Sequence, residues 1–255
     1  IFRLHRMIKA FQKQGKYDIN KPAPIPEWQK DERKKITTND LLHMNSGLEW
    51  EEAYDKICDA TKMLFIAEDM GRVQLEKPAA FAPNTHWNYS SGTSNLLSYI
   101  LRKQFKTHQE YLDFWYAQLI DRIGMHSMLI ETDMVGNYVG SSYGWATARD
   151  WAKFGLLYLH KGNWNGDQVF DPSWENYVST PTNDSKEGYG AHFWLNAGGH
   201  FPAAPRDMYS CNGYQGQKVF IIPSLDLVIV RMGLSDEGKY DVNELLAGVI
   251  GSFKK

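Results

Sequence analysis

The sequence predicts an α+β fold, a helical region packed beside an antiparallel sheet, on three observations. Helix start signals of the form Thr-x-x-Asp/Glu recur before apolar residues at helical spacing through the first part of the chain. After Pro172 the texture changes to alternating and β-branched runs. The end of the chain then returns to helical spacing. Strands gathered after helices, rather than alternating with them, argue against a parallel βα arrangement.

In order along the chain, Leu4, Met7, Ile8 and Phe11 share one helical face and Gly15 stands at a C-cap position, so the sequence opens inside an amphipathic helix. The prolines of Lys21-Pro22-Ala23-Pro24-Ile25-Pro26-Glu27-Trp28 predict an extended link. Thr37-Thr38-Asn39-Asp40 is a capping-box pattern and predicts a short helix ending at Gly47. Thr107-x-x-Glu110 precedes Tyr111, Leu112, Phe114, Trp115 and Leu119, and Thr147-x-x-Asp150 precedes Trp151, Phe154, Leu157 and Tyr158, which predicts two more helices. Gly188 to Leu195 alternates like a strand. Gln217 to Ile222 and Leu225 to Met232 flank Pro223-Ser224 as a hairpin, and Asp241 to Phe253 reads as a closing helix. The expectation is a single domain over 1–255, mostly helical over 16–185, with strands and a closing helix over 186–255. Internal repeats and low-complexity segments are absent from the sequence.

A chain that is 43% hydrophobic and 23% charged can bury a globular core. Its 28 basic and 30 acidic residues form no long run of one sign, which argues against nucleic acid or anionic lipid as partner and for a small molecule. No apolar run reaches the roughly 18 residues of a membrane helix, so no membrane span is expected. Cys58 and Cys211 belong to no C-x-x-C pair and allow at most one disulfide. The eight histidines never occur as H-x-x-x-H or H-x-H, so no metal site is expected, and no glycine-rich phosphate cradle is present.

Gly140-Ser141-Ser142-Tyr143-Gly144 satisfies G-x-S-x-G, with His160, His192, His200, Asp167 and Asp184 downstream, which would make Ser142 the nucleophile of an α/β-hydrolase. Such an elbow needs a buried strand before it and a helix directly after it. Glu131 to Val139 is polar and contains glycine, so the segment reads instead as a loop feeding the helix at Thr147.

Four segments in order carry a stronger signal: Leu41-Leu42-His43-Met44-Asn45-Ser46-Gly47-Leu48; Trp87-Asn88-Tyr89-Ser90-Ser91-Gly92; Gly140-Ser141-Ser142 with Ala146-Thr147-Ala148-Arg149-Asp150; and Asn212-Gly213-Tyr214-Gln215-Gly216-Gln217 with Ile222-Pro223-Ser224. Over nearly the whole chain these resemble the serine β-lactamase-like, penicillin-recognising superfamily, nearest to 6-aminohexanoate-oligomer hydrolases and esterase-type members. The resemblance implies a β-lactamase/transpeptidase-like fold and a cofactor-free serine hydrolase that cleaves a small ester or amide through an acyl-enzyme. It also favours a bacterial periplasmic or secreted setting over the cytoplasm.

In that superfamily a serine and lysine in S-x-x-K stand beside a motif tyrosine, and a third segment on an edge strand is K-T-G or a variant. The resemblance makes Tyr89 the general base and acid, places Ser91 where Asn is usual, and sets Tyr214-Gln215-Gly216 at the K-T-G position. Ser142 joins these as a substrate-binding residue, and the backbone N–H of Gln217 becomes an oxyanion donor. Tyr214 offers no charge to a substrate carboxylate, which favours neutral substrates, with Arg206 as the candidate compensating cation. The one internal S-x-x-K, Ser252-Phe253-Lys254-Lys255, stands at the C-terminus where no helix can follow. The reactive serine and lysine, and N-terminal strands, are therefore expected at or before residue 1. The competing readings are a non-catalytic binding protein of the same fold, a β-lactamase or DD-peptidase, and the Ser142 hydrolase.

Overall fold

The structure, a computed structural model, describes residues 18–235 and 239–253. The helix expected over Leu4 to Phe11 lies outside the described residues. The contacts divide the chain into two compact units, one formed by residues up to 122 with 128–145, the other by 123–127 with 146 onward.

The first unit holds α1 (Thr38–Leu42), α2 (Asp59–Phe65), α3 (Met70–Leu75), α4 (Ser91–Arg102) and α5 (His108–Trp115), the last running into a π-turn at Tyr116–Ile120. β1 (Leu129–Ile130) pairs antiparallel with β2 (Gly144–Trp145). The two capping boxes expected here form, Thr37 with Asp40 and Thr107 with Glu110. α1 is shorter than expected. It ends at Leu42, and Asn45 N–H turns back onto the Asp40 carbonyl. Gly47 lies beyond it at φ +77, where an added Cβ would sit 2.2 Å from the Phe81 oxygen. The Pro-rich link is not extended throughout: Pro26–Lys30 and Glu32–Lys35 are 3-10 turns, the first opened by its own proline. They bury Trp28, whose Nε1 donates to the Leu75 carbonyl at 2.9 Å.

α4 is buried on almost every side, with Leu96, Leu97, Ile100 and Leu101 in the core. Of its buried polar residues, Ser91, Asn95 and Ser98 follow at i, i+4 and i+7 and form a stripe along one face.

The second unit holds α6 (Ala148–Leu159), the small hairpin β3 (Asn163–Trp164) and β4 (Asp167–Gln168), α7 (Ser173–Ser179), and β5 (Trp194–Leu195), β6 (Tyr209–Asn212), β7 (Lys218–Ile222) and β8 (Leu227–Arg231). It closes with α8 (Val242–Ser252), capped by Asp241. β5 to β8 form one antiparallel sheet in that order. The predicted hairpin is β7–β8, with Phe220 opposite Ile229 and a turn at Pro223–Leu225. Alternation along it sends Phe220, Ile222, Leu227 and Ile229 toward Leu246 and Ile250 of α8, and Val219 and Val228 toward α6. The expected strand over Gly188 to Leu195 shrinks to Trp194–Leu195, because the chain reverses at 190–193 through a Tyr189–Trp194 bridge. β6 has no counterpart among the expected strands. α6 groups with the sheet, so the helical part over 16–185 is divided between the two units.

Thr147 caps α6 by accepting from Asp150 N–H, but the Asp150 carboxylate does not reach back as a capping box would. It is taken by Ser127 N–H at 2.8 Å, Ser127 Oγ at 2.6 Å and Lys153 at 2.7 Å. Burial opposes its ionisation, and these donors outweigh burial and hold the carboxyl at about 2.

α6 approaches the sheet at Gly155, where an added Cβ would lie 2.6 Å from Val228 Cγ1 and 3.1 Å from Val219 Cγ1. A leucine there overfills the contact, so Gly155→Leu is expected to cost about 1–3 kcal/mol in urea denaturation.

Candidate active site

Tyr89 lies in the extended segment that enters α4, and the residues on both sides of it are fixed. Before it, Asn88 N–H donates to the Met44 carbonyl at 2.9 Å and Asn88 Nδ2 donates to the Trp50 carbonyl at 3.0 Å. After it, Ser90 caps α4 by accepting from Thr93 N–H at 3.0 Å. Gly92 leaves room for the Trp50 ring, which an added Cβ would meet at 2.6 Å. The first motif segment therefore has a scaffolding role here: Leu41 and Leu42 are fully buried, and Met44, at φ +57, presents the carbonyl that anchors Asn88.

Ser91 is buried, and its hydroxyl and its N–H both donate to Glu52, at 2.6 and 2.9 Å. Trp50 Nε1 and the Tyr54 hydroxyl donate to the same carboxylate, each at 2.5 Å. Four donors thus converge on Glu52 at the N-terminus of α4, where a carboxylate is also favoured by the helix dipole. Burial, the bond to Glu52, the charge of Glu52 and the nearby Tyr89 push the Tyr54 phenol above its ordinary range.

Further along α4, Asn95 Oδ1 accepts from Gly140 N–H at 2.8 Å and Ser141 N–H at 3.3 Å, and Asn95 Nδ2 donates to Ser141 Oγ at 3.1 Å. Gly140 packs so closely on α4 that an added Cβ would lie 2.6 Å from the Ser94 carbonyl oxygen. Ser98 Oγ donates to the Tyr138 carbonyl at 2.7 Å, and Tyr111 OH, 2.9 Å from Ser98 Oγ, accepts from Tyr138 N–H at 2.9 Å. The segment carrying Ser142 is thus pinned to the helix that begins beside Tyr89. Ser142 is preceded by a loop and followed by Tyr143 at φ +59 and then by β2. This is not a strand–nucleophile–helix elbow, and the α/β-hydrolase reading is discarded.

In the second unit, Tyr214-Gln215-Gly216 is not on a strand. It forms the turn between β6 and β7, with Tyr214 65% exposed and Gln215 at φ 53, and β7 is an inner strand of the sheet. Gln217 resumes extended backbone, and its carbonyl accepts from Gly213 N–H at 2.8 Å. Lys218, next along, faces Arg231 across the hairpin, and burial together with that charge pushes its ammonium down to about 8. Arg206 does not supply the cation that Tyr214 lacks: its Nη1 donates to the Ala197 carbonyl at 2.8 Å and its guanidinium lies against Gly199.

The motif segments thus fold into two sets of fixed backbone and polar contacts in an α+β frame, one around Tyr89 and one at the 214–217 turn. Residues 7–245 match the profile of the family described as Beta-lactamase. The chain belongs to the beta-lactamase family. Among solved structures, this beta-lactamase-family chain is similar to a protein from Bacillus anthracis described as a 6-aminohexanoate-dimer hydrolase, with TM-score 0.76, 19% identity, and 98% of this chain and 69% of that one covered. It is similar to a family VIII carboxylesterase at TM-score 0.69, 14% identity and 98% and 81% coverage. It is also similar to a beta-lactamase from Mycobacterium bovis at TM-score 0.66, 14% identity and 98% and 83% coverage. At these identities the likeness is one of fold. No curated protein sequence matches the chain.

Among the described residues no group of three His, Cys, Asp or Glu side chains could hold a metal ion, and no helix is long and apolar enough to cross a membrane. Cys58 and Cys211 are both free and buried, and burial pushes the Cys211 thiol up. Sequence reasoning did not single out Glu52, Tyr54 or Asn95. Asn95 was within its reach, since a helix beginning at Ser91 puts Asn95 one turn along the same face. Glu52 sits in the acidic run Glu49-Trp50-Glu51-Glu52, which reads as solvated surface.

Two tests follow from this half of the site. Asn95→Leu keeps the branched shape but strips Gly140 and Ser141 N–H of their acceptor, and is expected to cost at least about 1–3 kcal/mol by urea denaturation. His43, in the first motif segment, is held by burial at about 4, below its ordinary 6.5. The unfolded chain therefore takes up this proton at higher pH than the folded one, and stability falls as pH drops through the window from 6.5 to 4. Between pH 7 and pH 5 the wild type should lose about 2 kcal/mol that His43→Gln does not lose.

Proposed function

We propose that the protein is a serine hydrolase that cleaves a small, neutral ester or amide through an acyl-enzyme. The observation that carries this reading is the setting of Tyr89, a half-buried phenol held between anchored neighbours at the entry to α4, in a chain of the beta-lactamase family. An upstream serine attacks the carbonyl carbon, and Tyr89, favoured as phenolate by an upstream lysine ammonium, accepts the serine proton. The same phenol then protonates the departing alkoxide or amine. The backbone N–H of Gln217 donates to the tetrahedral oxyanion, and water, deprotonated by Tyr89, releases the acid and frees the serine.

Ser91, Ser142, Tyr214, Gln215 and Gly216 are assigned to the substrate. The Ser91 hydroxyl is directed at Glu52, so it acts on substrate only if that bond opens or is shared. The exposed Tyr214 supports an uncharged substrate over the carboxylate-bearing substrates of a β-lactamase or DD-peptidase. The printed names of the similar structures, a 6-aminohexanoate-dimer hydrolase and a carboxylesterase, agree with amide or ester cleavage.

The test uses protein expressed from the complete gene, assayed with p-nitrophenyl esters and by mass spectrometry after a fluorophosphonate probe. Tyr89→Phe is expected to lower kcat about 10²- to 10⁴-fold with little change in melting temperature. Near-native turnover in that variant would remove Tyr89 from the mechanism, whereas a wild type that forms no adduct and no product would replace this reading with a non-catalytic binding protein of the same fold.

A further inference from the structure

The turn after β6 contains two successive residues at positive φ, Gln215 at +53 and Gly216 at +87, a conformation that costs a non-glycine residue energy and must be held from outside. It is held by the chain leaving β8. The Gly216 carbonyl accepts from Arg231 Nη1 at 2.8 Å and from the Tyr240 hydroxyl at 3.3 Å. The Gln215 carbonyl accepts from Ser235 N–H at 3.0 Å. The Gln217 side chain donates to the Gly233 carbonyl at 2.5 Å and accepts from Gly233 N–H at 3.0 Å. Arg231 is itself braced, with Nη2 at 2.5 Å from Ser235 Oγ and its guanidinium 3.8 Å from the centre of the Tyr240 ring. The fit is close enough that an added Cβ on Gly216 would lie 2.8 Å from both Arg231 Nη1 and Tyr240 Cε1.

The carbonyl of Gly216 and the N–H of Gln217 belong to one peptide plane, and in a trans peptide they point in opposite directions. Whatever fixes the carbonyl therefore aims the N–H. We propose that Arg231, braced by Tyr240, is a positioning residue for acyl transfer, which orients the Gly216–Gln217 peptide so that the Gln217 N–H meets the oxyanion. This rests on the hydrolase reading above. Arg231 touches no reacting atom, and its charge acts through the carbonyl it holds.

The experiment compares wild type, Arg231→Ala, Arg231→Lys and Tyr240→Phe from the complete gene, by ester kinetics and by amide hydrogen exchange of peptides spanning 213–217. Arg231→Ala is expected to lower kcat about 10- to 100-fold with KM within about threefold, and to speed exchange in the turn. Millimolar guanidinium should restore part of kcat, whereas sodium chloride at equal ionic strength should not. Arg231→Lys, which cannot fork between Gly216 and Ser235, should fall between wild type and Arg231→Ala, and Tyr240→Phe should lose only a few-fold. Unchanged kcat in Arg231→Ala, whether or not the melting temperature falls, or unchanged exchange in the turn, would overturn the proposal. A wild type that forms no acyl-enzyme removes the hydrolase reading and this catalytic role together, while the exchange data still report whether Arg231 holds the turn.

Discussion

Ser91, Asn95 and Ser98, buried polar side chains in line on one face of α4, set the geometry beside Tyr89, because a buried amide or hydroxyl cannot be left without a partner. Ser91 is matched by Glu52, Asn95 by the Gly140 and Ser141 backbone, and Ser98 by Tyr111 and Tyr138. An unpaired amide or hydroxyl at these depths costs on the order of 1–3 kcal/mol, so these matches draw two loops onto the helix, the 50–54 loop at Ser91 and the 138–142 loop at Asn95 and Ser98. The 50–54 loop and the 138–142 loop share no sequence signal with each other. They meet the same helix because its period of 3.6 residues brings Ser91, Asn95 and Ser98 into line.

The second unit uses a different constraint. β7 and β8 bury one face on α8 and the other on α6, which fixes the strand register through side-chain volume. The turn that precedes β7 lies outside that apolar packing and is secured by polar contacts to the chain leaving β8. Register and turn are therefore set by separate interactions, and a change in one need not disturb the other.

Much of the frame was legible in the sequence because it depends on short-range chemistry. Thr37, Thr107 and Thr147 signal helix starts by offering an oxygen to the first free N–H groups, and the β7–β8 hairpin shows in its β-branched residues. What the sequence hid depends on distant partners. The Asp150 carboxylate goes to Ser127 and Lys153 instead of closing a capping box. The aromatic residues Tyr189 and Phe193 are buried by a chain reversal and not by a strand. The place of Tyr89 is legible from its motif, whereas the convergence on Glu52 arises only once Trp50, Tyr54 and Ser91 are brought together. The turn at Tyr214 shows the same limit: its glycine is visible, but the arginine and tyrosine that secure it lie on later segments of the chain.

Tyr214 is two-thirds exposed on a turn whose backbone is held through the carbonyls of Gln215 and Gly216 and the side chain of Gln217. The main hold on the turn thus lies in the backbone and in residues of later segments. An exposed side chain on a turn whose shape is held by other residues is a position at which a designed library could vary surface chemistry at small cost to the scaffold.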